Sequence, residues 1–450
     1  MKTPFWKTYL AAAALAGLAA YAYFVDSKKP DSTEAPKQKV FTFDKGKAVG
    51  LAILRPESET IRLTREKDTW RMLAPQAVVA DKTEVESLLS TLENLEVDEV
   101  VSEQATSLAE FGLESPRVAV ETLVEGATEP MKLLIGDKVP TGSGVYAKLP
   151  TQARVFTIAA SLEGSFDKKP FDFRDRDLLH VERSAVKTLE IEGPEGAYAL
   201  ARQGEDEWMF TRPLRTRAGR WKVDGLLGSI ESLRMESVAA EEAADLTPFG
   251  LAKPVRKVHV GLEEGVKTLE IGSATADGKH HARAAGSRLV AVIPAGLVDE
   301  MAKGLAELRA KRILDVATYD VTGFDVEAEG RKQVYTRATE KDKEGFDSQK
   351  WSRTAPDRKQ LETNAVQDAL FKIGGLEAQE YLDQPSSLDS YGLAAPALWL
   401  TLRFEGDKPA QWIEIGRKDG AAYGRRNDDD SLLKLDPQKV GEFLKAFAGL

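Results

Sequence analysis

The sequence predicts an α+β protein of three tandem repeats, each a mainly antiparallel sheet with an amphipathic helix packed on it, after an N-terminal transmembrane helix. Three observations support this prediction. Short motifs recur three times in one order, each recurrence carries one helical apolar stripe, and runs of alternating residues surround each stripe. The 450 residues allow for this arrangement, because one domain takes roughly 100–200 residues.

The first 25 residues are predicted to be a signal anchor. Lys2 and Lys7 precede the uncharged run Thr8–Val25, whose helical length of ~27 Å approaches the ~30 Å hydrocarbon core of a bilayer. A cleaved signal peptide with its site at Ala20–Ala22 is the alternative. The bulky residues that follow this site lengthen the apolar run and favour the anchor.

Residues 26–40 are polar, contain two prolines and are interpreted as a flexible linker. The lysines before the apolar run favour a cytoplasmic N-terminus. We therefore expect a single-pass protein of the inner (cytoplasmic) membrane whose bulk lies on the extracytoplasmic, periplasmic side. The absence of cysteine is compatible with that compartment and excludes thiolate metal sites and disulfides.

Three motifs recur in the remainder of the chain. Each repeat has a Trp-x4-Pro element, an aromatic-Gly-Leu-x-x-Pro element and an Ile-Gly pair. Their marker residues are Trp70, Trp208 and Trp351, then Gly112, Gly250 and Gly392, then Gly136, Gly272 and Gly416. The distance from tryptophan to the first glycine is 42, 42 and 41 residues. This register divides the chain into repeats 41–180, 181–314 and 315–450.

An apolar stripe with the 3.6-residue period lies between the tryptophan and the glycine of each repeat. It predicts a helix of about 12–15 residues that packs on a sheet. The stripes are Val85, Leu88, Leu89, Leu92 and Leu95; Val223, Leu226, Leu227, Ile230 and Leu233; and Val366, Ala369, Leu370, Ile373 and Leu376. Alternating apolar and polar residues before and after them predict strands, with a four-strand meander and a closing helix following the glycine turn.

The repeated glycines and tryptophans are predicted to be structural. A glycine at one register suggests positive φ or a close backbone approach, so that Gly250→Ala is expected to cost ~1 kcal/mol or more. The tryptophans are expected to lie in the core beneath the helices, although a row that stacks on a ligand is the alternative.

The sequence contains no motif for nucleotide binding, nucleophilic catalysis or zinc hydrolysis, and we predict no catalytic, cofactor or metal residues and no enzymatic activity. His280 and His281 are adjacent, which suits chelation poorly because neighbours in a strand point to opposite faces. The acidic run Asn427–Asp430 is expected to be a hairpin turn rather than a calcium loop. The net charge of −10 argues against nucleic-acid binding.

An aromatic-small-basic triplet also recurs, and it ends at Lys148, Arg283 and Arg425. If the repeats stack alike, these cations repeat along one face and form a speculative anion-binding surface. Exposed strands whose cations extend to solvent are the simpler interpretation.

Together these motifs resemble the bacterial domain of unknown function numbered 4340, in three tandem copies over nearly all of residues 41–450. The second repeat departs from the pattern at Arg220 and Trp221, and the third has a charged insert, Glu340–Lys350. The resemblance implies a membrane-anchored envelope protein that accompanies an ABC-type transport system related to gliding motility. It implies no catalytic residue.

We therefore expect a non-enzymatic scaffold or accessory component of an envelope transport system, held at the membrane by its N-terminal helix and bound to protein partners. The alternative is a binding module for an anionic envelope polymer or lipid headgroup.

Overall fold

The computed structural model describes residue 21 and residues 38–450, except 57, 141, 143, 205–206, 315–316, 342–346 and 407. The run Thr8–Val25, apart from Tyr21, lies outside the described residues, and so does most of the linker. Within the part of the chain that is described, no helix has both the length and the apolar character needed to cross a membrane.

The chain forms two compact units, residues 1–176 and residues 177–450. The first contains one nine-stranded sheet and the second contains two. Every pairing between neighbouring strands is antiparallel, as the sequence predicts. Each sheet lies within one of the predicted repeats.

The first sheet has the strand order β4-β3-β2-β1-β6-β7-β8-β9-β5. Its strands are β1 (Ala48–Leu54), β2 (Ile61–Glu66), β3 (Thr69–Ala74), β4 (Val78–Ala80), β5 (Glu99–Ser102), β6 (Val118–Val124), β7 (Met131–Lys138), β8 (Gly144–Lys148) and β9 (Val155–Ala159). Helix α1 (Lys82–Glu93) connects β4 to β5, and the short α2 (Glu163–Phe166) follows β9.

The second and third sheets repeat this order. The second contains β10 (Thr188–Gly193), β11 (Gly196–Gln203), β12 (Glu207–Arg212), β13 (Thr216–Arg217), β14 (Ser237–Ala240), β15 (Arg256–Leu262), β16 (Gly265–Ala274), β17 (His280–Ala284) and β18 (Val290–Ile293), with helices α3 (Arg220–Glu231), α4 (Ala295–Met301) and α5 (Leu305–Leu308). The third contains β19 (Val321–Ala328), β20 (Arg331–Lys341), β21 (Asp347–Ala355), β22 (Lys359–Leu361), β23 (Ala378–Leu382), β24 (Leu398–Phe404), β25 (Gln411–Lys418), β26 (Ala421–Arg426) and β27 (Leu432–Leu435), with α6 (Thr363–Gly374) and α7 (Pro437–Ala448).

Helices α1, α3 and α6 are the three that the apolar stripes predict, and each has 12 residues. All fifteen stripe residues are buried. Asp81 begins α1 by accepting hydrogen bonds from the backbone of Thr83 and Glu84, which are two of the free N–H groups of the first turn. The stripes therefore pack on one face of each sheet, and the period prediction is confirmed.

One strand of each sheet is not evident from the sequence. The strand after the helix (β5, β14 or β23) crosses to the far edge of the sheet and pairs with the last strand of the meander. Most of its residues are exposed or half-buried, so it lacks the alternation that marks a half-buried strand.

The repeated tryptophans lie in the cores, with at most 2% of Trp70, Trp208 and Trp351 exposed. Trp70 belongs to the apolar cluster that contains the α1 stripe, and Trp351 belongs to the cluster that contains the α6 stripe. The prediction of core tryptophans is confirmed. The proline of each Trp-x4-Pro element, namely Pro75, Pro213 and Pro356, follows a cis peptide bond.

Candidate functional site

The glycine turns are built as the sequence predicts. Gly250 has φ +67°, and a Cβ at this position would lie 2.6 Å from the backbone nitrogen of Ser273. A Cβ on Gly272 would lie 2.1 Å from the carbonyl oxygen of Phe249. The other two repeats show the same positive φ and equally close approaches. Both glycine motifs therefore belong to one tight contact between the turn and the meander.

The aromatic residue of each glycine turn packs edge-to-face on the aromatic residue of the aromatic-small-basic triplet. The ring centroids are 5.0 Å apart for Phe111 and Tyr146, 5.2 Å for Phe249 and His281, and 5.0 Å for Tyr391 and Tyr423. The aromatic and basic residues of the triplet are two positions apart on a strand and therefore lie on the same face of the sheet, whereas the small residue between them, such as Ala147 or Ala282, faces the core. The ring of His281 is part of this packing.

The basic residues occupy equivalent positions at the end of a row that crosses three strands. On the sheet face opposite the helix, the rows are Ala119, Leu134 and Lys148; Lys257, Glu270 and Arg283; and Trp399, Glu414 and Arg425. We call this side of each sheet its open face. The equivalent rows share a backbone register but differ in chemistry.

These rows give the three predicted cations different surroundings. Lys148 is buried, and its Nζ donates to the carbonyl of Leu149 at 3.2 Å. Arg283 donates to the carboxylate of Glu270 at 2.8 Å. Arg425 lies 3.7 Å from a carboxylate oxygen of Glu414, and 39% of its side chain is exposed. Anion binding remains a prediction, and among these three cations Arg425 is the most accessible.

The carboxylate partners Glu270 and Glu414 were missed in the sequence. The sequence does contain a signal for these two residues, because each glutamate directly precedes an Ile-Gly pair. In the first repeat, Leu134 occupies the same position. Since the Ile-Gly strand pairs with the triplet strand, a charge at this position lies opposite the cation.

The open face of the third sheet carries an aromatic pair. Trp399 on β24 and Trp412 on β25 have ring centroids 5.1 Å apart with 37° between their planes. The guanidinium carbon of Arg425 lies 5.6 Å from the ring centroid of Trp412, within cation–π range. The backbone N–H of Trp412 donates to the side-chain oxygen of Asn427 at 3.2 Å, which holds this strand end in place. Trp399 remains 37% exposed.

Glu414 lies between Trp399 and Arg425 in the row, and only 5% of its side chain is exposed. Its Oε2 accepts no hydrogen bond from any described residue. Burial raises the pKa of the Glu414 carboxyl, and the nearby Arg425 opposes this rise. The aromatic pair is thus accompanied by a buried acceptor with unused hydrogen-bonding capacity.

The open face of the second sheet forms a shallow groove of about 520 Å³. Small residues on the strands create the hollow, and charged residues flank it. Its lining includes Glu190, Ala199, Arg212, His259, Gly261 and Val266. Glu190 and Arg212 form an ion pair across the strands, and Nδ1 of His259 lies 2.9 Å from the hydroxyl of Thr268.

The acidic run Asn427–Asp430 is the turn between β26 and β27, as predicted, but it also joins the second sheet to the third. Asp428 pairs with Arg217, and Asp429 accepts from the hydroxyl of Thr216 at 2.7 Å. Asp429 also binds the fully buried guanidinium of Arg426 at 2.6 Å. These carboxylates are neutralised by arginines, and across the described residues no three His, Asp or Glu side chains are grouped to hold a metal.

The family model for the Domain of unknown function (DUF4340) matches residues 70–221 and 208–396, which together span well over half of the chain. The chain belongs to the DUF4340 family. Both matches begin on a repeated tryptophan, Trp70 or Trp208, and therefore at the same position of the repeat. The resemblance inferred from the short motifs is confirmed at the level of the family.

Among curated proteins, no match to this DUF4340 protein was found. The solved structures that are similar to it include a DNA polymerase sliding clamp from Pseudomonas aeruginosa with ligand, at 8% identity and a TM-score of 0.17, over 88% of this chain and 92% of the other. The DNA polymerase III subunit beta from the same organism gives 8% identity and a TM-score of 0.17, over 88% and 93%. At such scores the likeness supports no functional argument.

Proposed function

We propose that this DUF4340 protein is a non-enzymatic, membrane-anchored scaffold that presents its open sheet faces to protein partners in an envelope transport system, outside the cytoplasm. The observation that carries the proposal is the contrast between repeated cores and divergent open faces. The helix stripes, tryptophans and glycine turns recur in all three repeats. The equivalent open-face rows are instead apolar with a lysine, fully charged, or composed of a tryptophan and two charged residues.

A scaffold accounts for this contrast. A repeated core gives each unit the same rigid platform, and divergent rows let each platform recognise a different surface. Specific interfaces are enriched in tryptophan and arginine, which Trp399, Trp412 and Arg425 supply on the third sheet. The groove on the second sheet adds a concave surface with an exposed valine, Val266.

Site-specific photo-crosslinking in living cells tests the scaffold role. A photoreactive residue at Val266 lies in the groove of the second sheet, and one at Val255, which is also exposed, serves as the matched control outside the groove. We expect Val266 to crosslink to one protein component of an ABC-type transport system, identified by mass spectrometry, and Val255 to give no such product. Absence of any Val266-specific protein adduct would count against the proposal.

The location is tested separately. Because the run Thr8–Val25 is expected to anchor the chain with a cytoplasmic N-terminus, an alkaline-phosphatase fusion at the C-terminus should be active. The full-length protein should also remain in the membrane fraction. An inactive fusion contradicts the orientation, and a mature protein that begins near Tyr23 contradicts the anchor.

A second candidate is a binding module for an anionic envelope polymer or lipid headgroup. The loose ion pair and half-exposed side chain of Arg425 favour it. It predicts co-sedimentation with anionic vesicles that weakens as salt rises and is reduced in Arg425→Ala. Equal binding to neutral vesicles argues against this candidate.

A further inference from the structure

We propose that Trp399, Trp412, Glu414 and Arg425 form a binding site for a neutral sugar ring of a glycan chain. This inference goes beyond the scaffold role, because it concerns a small polar ligand rather than a protein partner. It rests on two features that lie together on the open face of the third sheet. One is an indole pair in which Trp399 is exposed and Trp412 is half-buried, and the other is a buried carboxylate with an unused acceptor.

The indole pair provides the apolar half of the site. Trp399 has 37% of its surface exposed, and Trp412 lies beside it with its ring centroid 5.1 Å away. A pyranose ring has one face of C–H groups that fits flat on such a surface, and indole rings supply a large contact area at small entropic cost. The bond from the backbone of Trp412 to Asn427 keeps the platform in place before a ligand arrives.

Glu414 and Arg425 provide the polar half. The Oε2 of Glu414 lies 3.7 Å from the Arg425 guanidinium, too far for a hydrogen bond, and accepts none from the described residues. A sugar hydroxyl donates to such an oxygen and accepts from the guanidinium at the same time. One ligand group thereby satisfies both side chains.

Other occupants fit this pair less well. An apolar side chain from a protein would cover the indoles but would supply no donor to the Glu414 oxygen, which already lacks one, whereas a hydroxyl group would supply it. An anionic group would be attracted by Arg425 and repelled by the ionised form of Glu414. A ring that carries both C–H faces and hydroxyls matches the two halves together.

The equivalent positions of the other sheets show that the site belongs to the third repeat. The residues at the positions equivalent to Trp399 and Trp412 are Lys257 and Thr268 in the second sheet, and Ala119 and Lys132 in the first. Neither of these pairs offers a stacking surface. We therefore expect one sugar site per chain, and Lys257 provides an internal control.

Binding of neutral oligosaccharides to the full-length protein tests the proposal. The probes are chitotetraose, cellotetraose and maltotetraose, added to protein in a detergent without a sugar headgroup, with tryptophan fluorescence and calorimetry as readouts. We expect saturable binding of at least one probe that is insensitive to salt, because the site recognises an uncharged ring. Failure of all three probes to bind overturns the proposal.

Five variants locate the binding. Trp399→Ala and Glu414→Leu should each weaken it about tenfold or more, as expected for central anchors. Lys257→Ala, at the equivalent row position, and Trp221→Ala, at an exposed tryptophan outside the site, should leave it unchanged. Circular dichroism checks that each variant is folded, and Trp399→Phe should retain part of the affinity if an aromatic face is what the sugar contacts.

The sugar site and the scaffold role can fail independently, and sugar binding and crosslinking report on them separately. If folded Trp399→Ala binds the sugar as well as the unmodified protein does, the site is overturned. The site is also overturned if a polyanion such as heparin binds at the same residues with strong salt dependence and the neutral probes do not bind. The Val266 crosslink should persist in Trp399→Ala, because the groove lies on a different sheet. If the protein with the photoreactive residue at Val266 gives no crosslink but still binds the sugar, that result counts against the scaffold role and leaves the sugar site intact.

Discussion

Replacing Gly250 with alanine tests whether the repeated glycine turn is a structural contact. The glycine has φ +67°, and a left-handed backbone costs an L-residue roughly 1–2 kcal/mol. The new Cβ would also lie 2.6 Å from the backbone nitrogen of Ser273, so backbone must move, and forced overpacking of this kind costs ~1–3 kcal/mol. We therefore expect Gly250→Ala to lower the free energy of unfolding by ~2–5 kcal/mol.

Gly286→Ala is the matched control. Gly286 has φ +81° in the turn between β17 and β18 of the same sheet, and a Cβ there meets nothing within 4 Å. This variant carries the backbone strain without the close approach, and the effect of the added methyl group on the unfolded chain is the same for both. The difference between the two variants, ~1–3 kcal/mol, isolates the contact with Ser273.

Urea unfolding of the full-length protein, followed by tryptophan fluorescence, measures both changes. Gly250→Val should be more damaging than Gly250→Ala, because a β-branched side chain tolerates positive φ poorly. Equal losses for Gly250→Ala and Gly286→Ala would show that the close approach contributes nothing. An unchanged stability for Gly250→Val would refute the structural role and make the turn a candidate for partner binding.

Three further predictions concern the cores and the buried charges. Arg426→Ala leaves the buried carboxylate of Asp429 uncompensated and should cost ~3–5 kcal/mol by urea titration. Trp351→Ala removes a core side chain and should cost ~3–5 kcal/mol on the same measurement; a loss below ~1 kcal/mol would contradict its packing role. Burial raises the pKa of Glu414 above its usual 4.5 in the folded state, so folding favours the protonated form. The stabilisation that the raised pKa of Glu414 contributes is therefore complete at pH values below the usual pKa and is lost as the pH rises through the pKa of the folded state. Glu414→Gln should flatten this part of the curve of unfolding free energy against pH, and an unchanged curve would contradict the raised pKa.

The repeated architecture can be predicted from the amino-acid sequence because the relevant signals are local and periodic. A stripe at 3.6-residue spacing can only be buried as one helix face, and its recurrence at one register identifies α1, α3 and α6. Glycine between an aromatic residue and leucine likewise indicates a turn that needs positive φ, which Gly250 adopts. The same motifs identify the family.

The residues that face each other across strands are known only from the folded chain. The aromatic of the triplet and that of the glycine turn are two sequence motifs but one contact, as Phe249 and His281 show. Trp399 and Trp412 become a pair only through the register of β24 and β25. The carboxylate of Asp429 accepts a hydrogen bond from Thr216, which is more than two hundred positions away in the sequence. Strand pairing and inter-sheet contacts depend on register and chain topology, which leave no periodic trace in a single sequence.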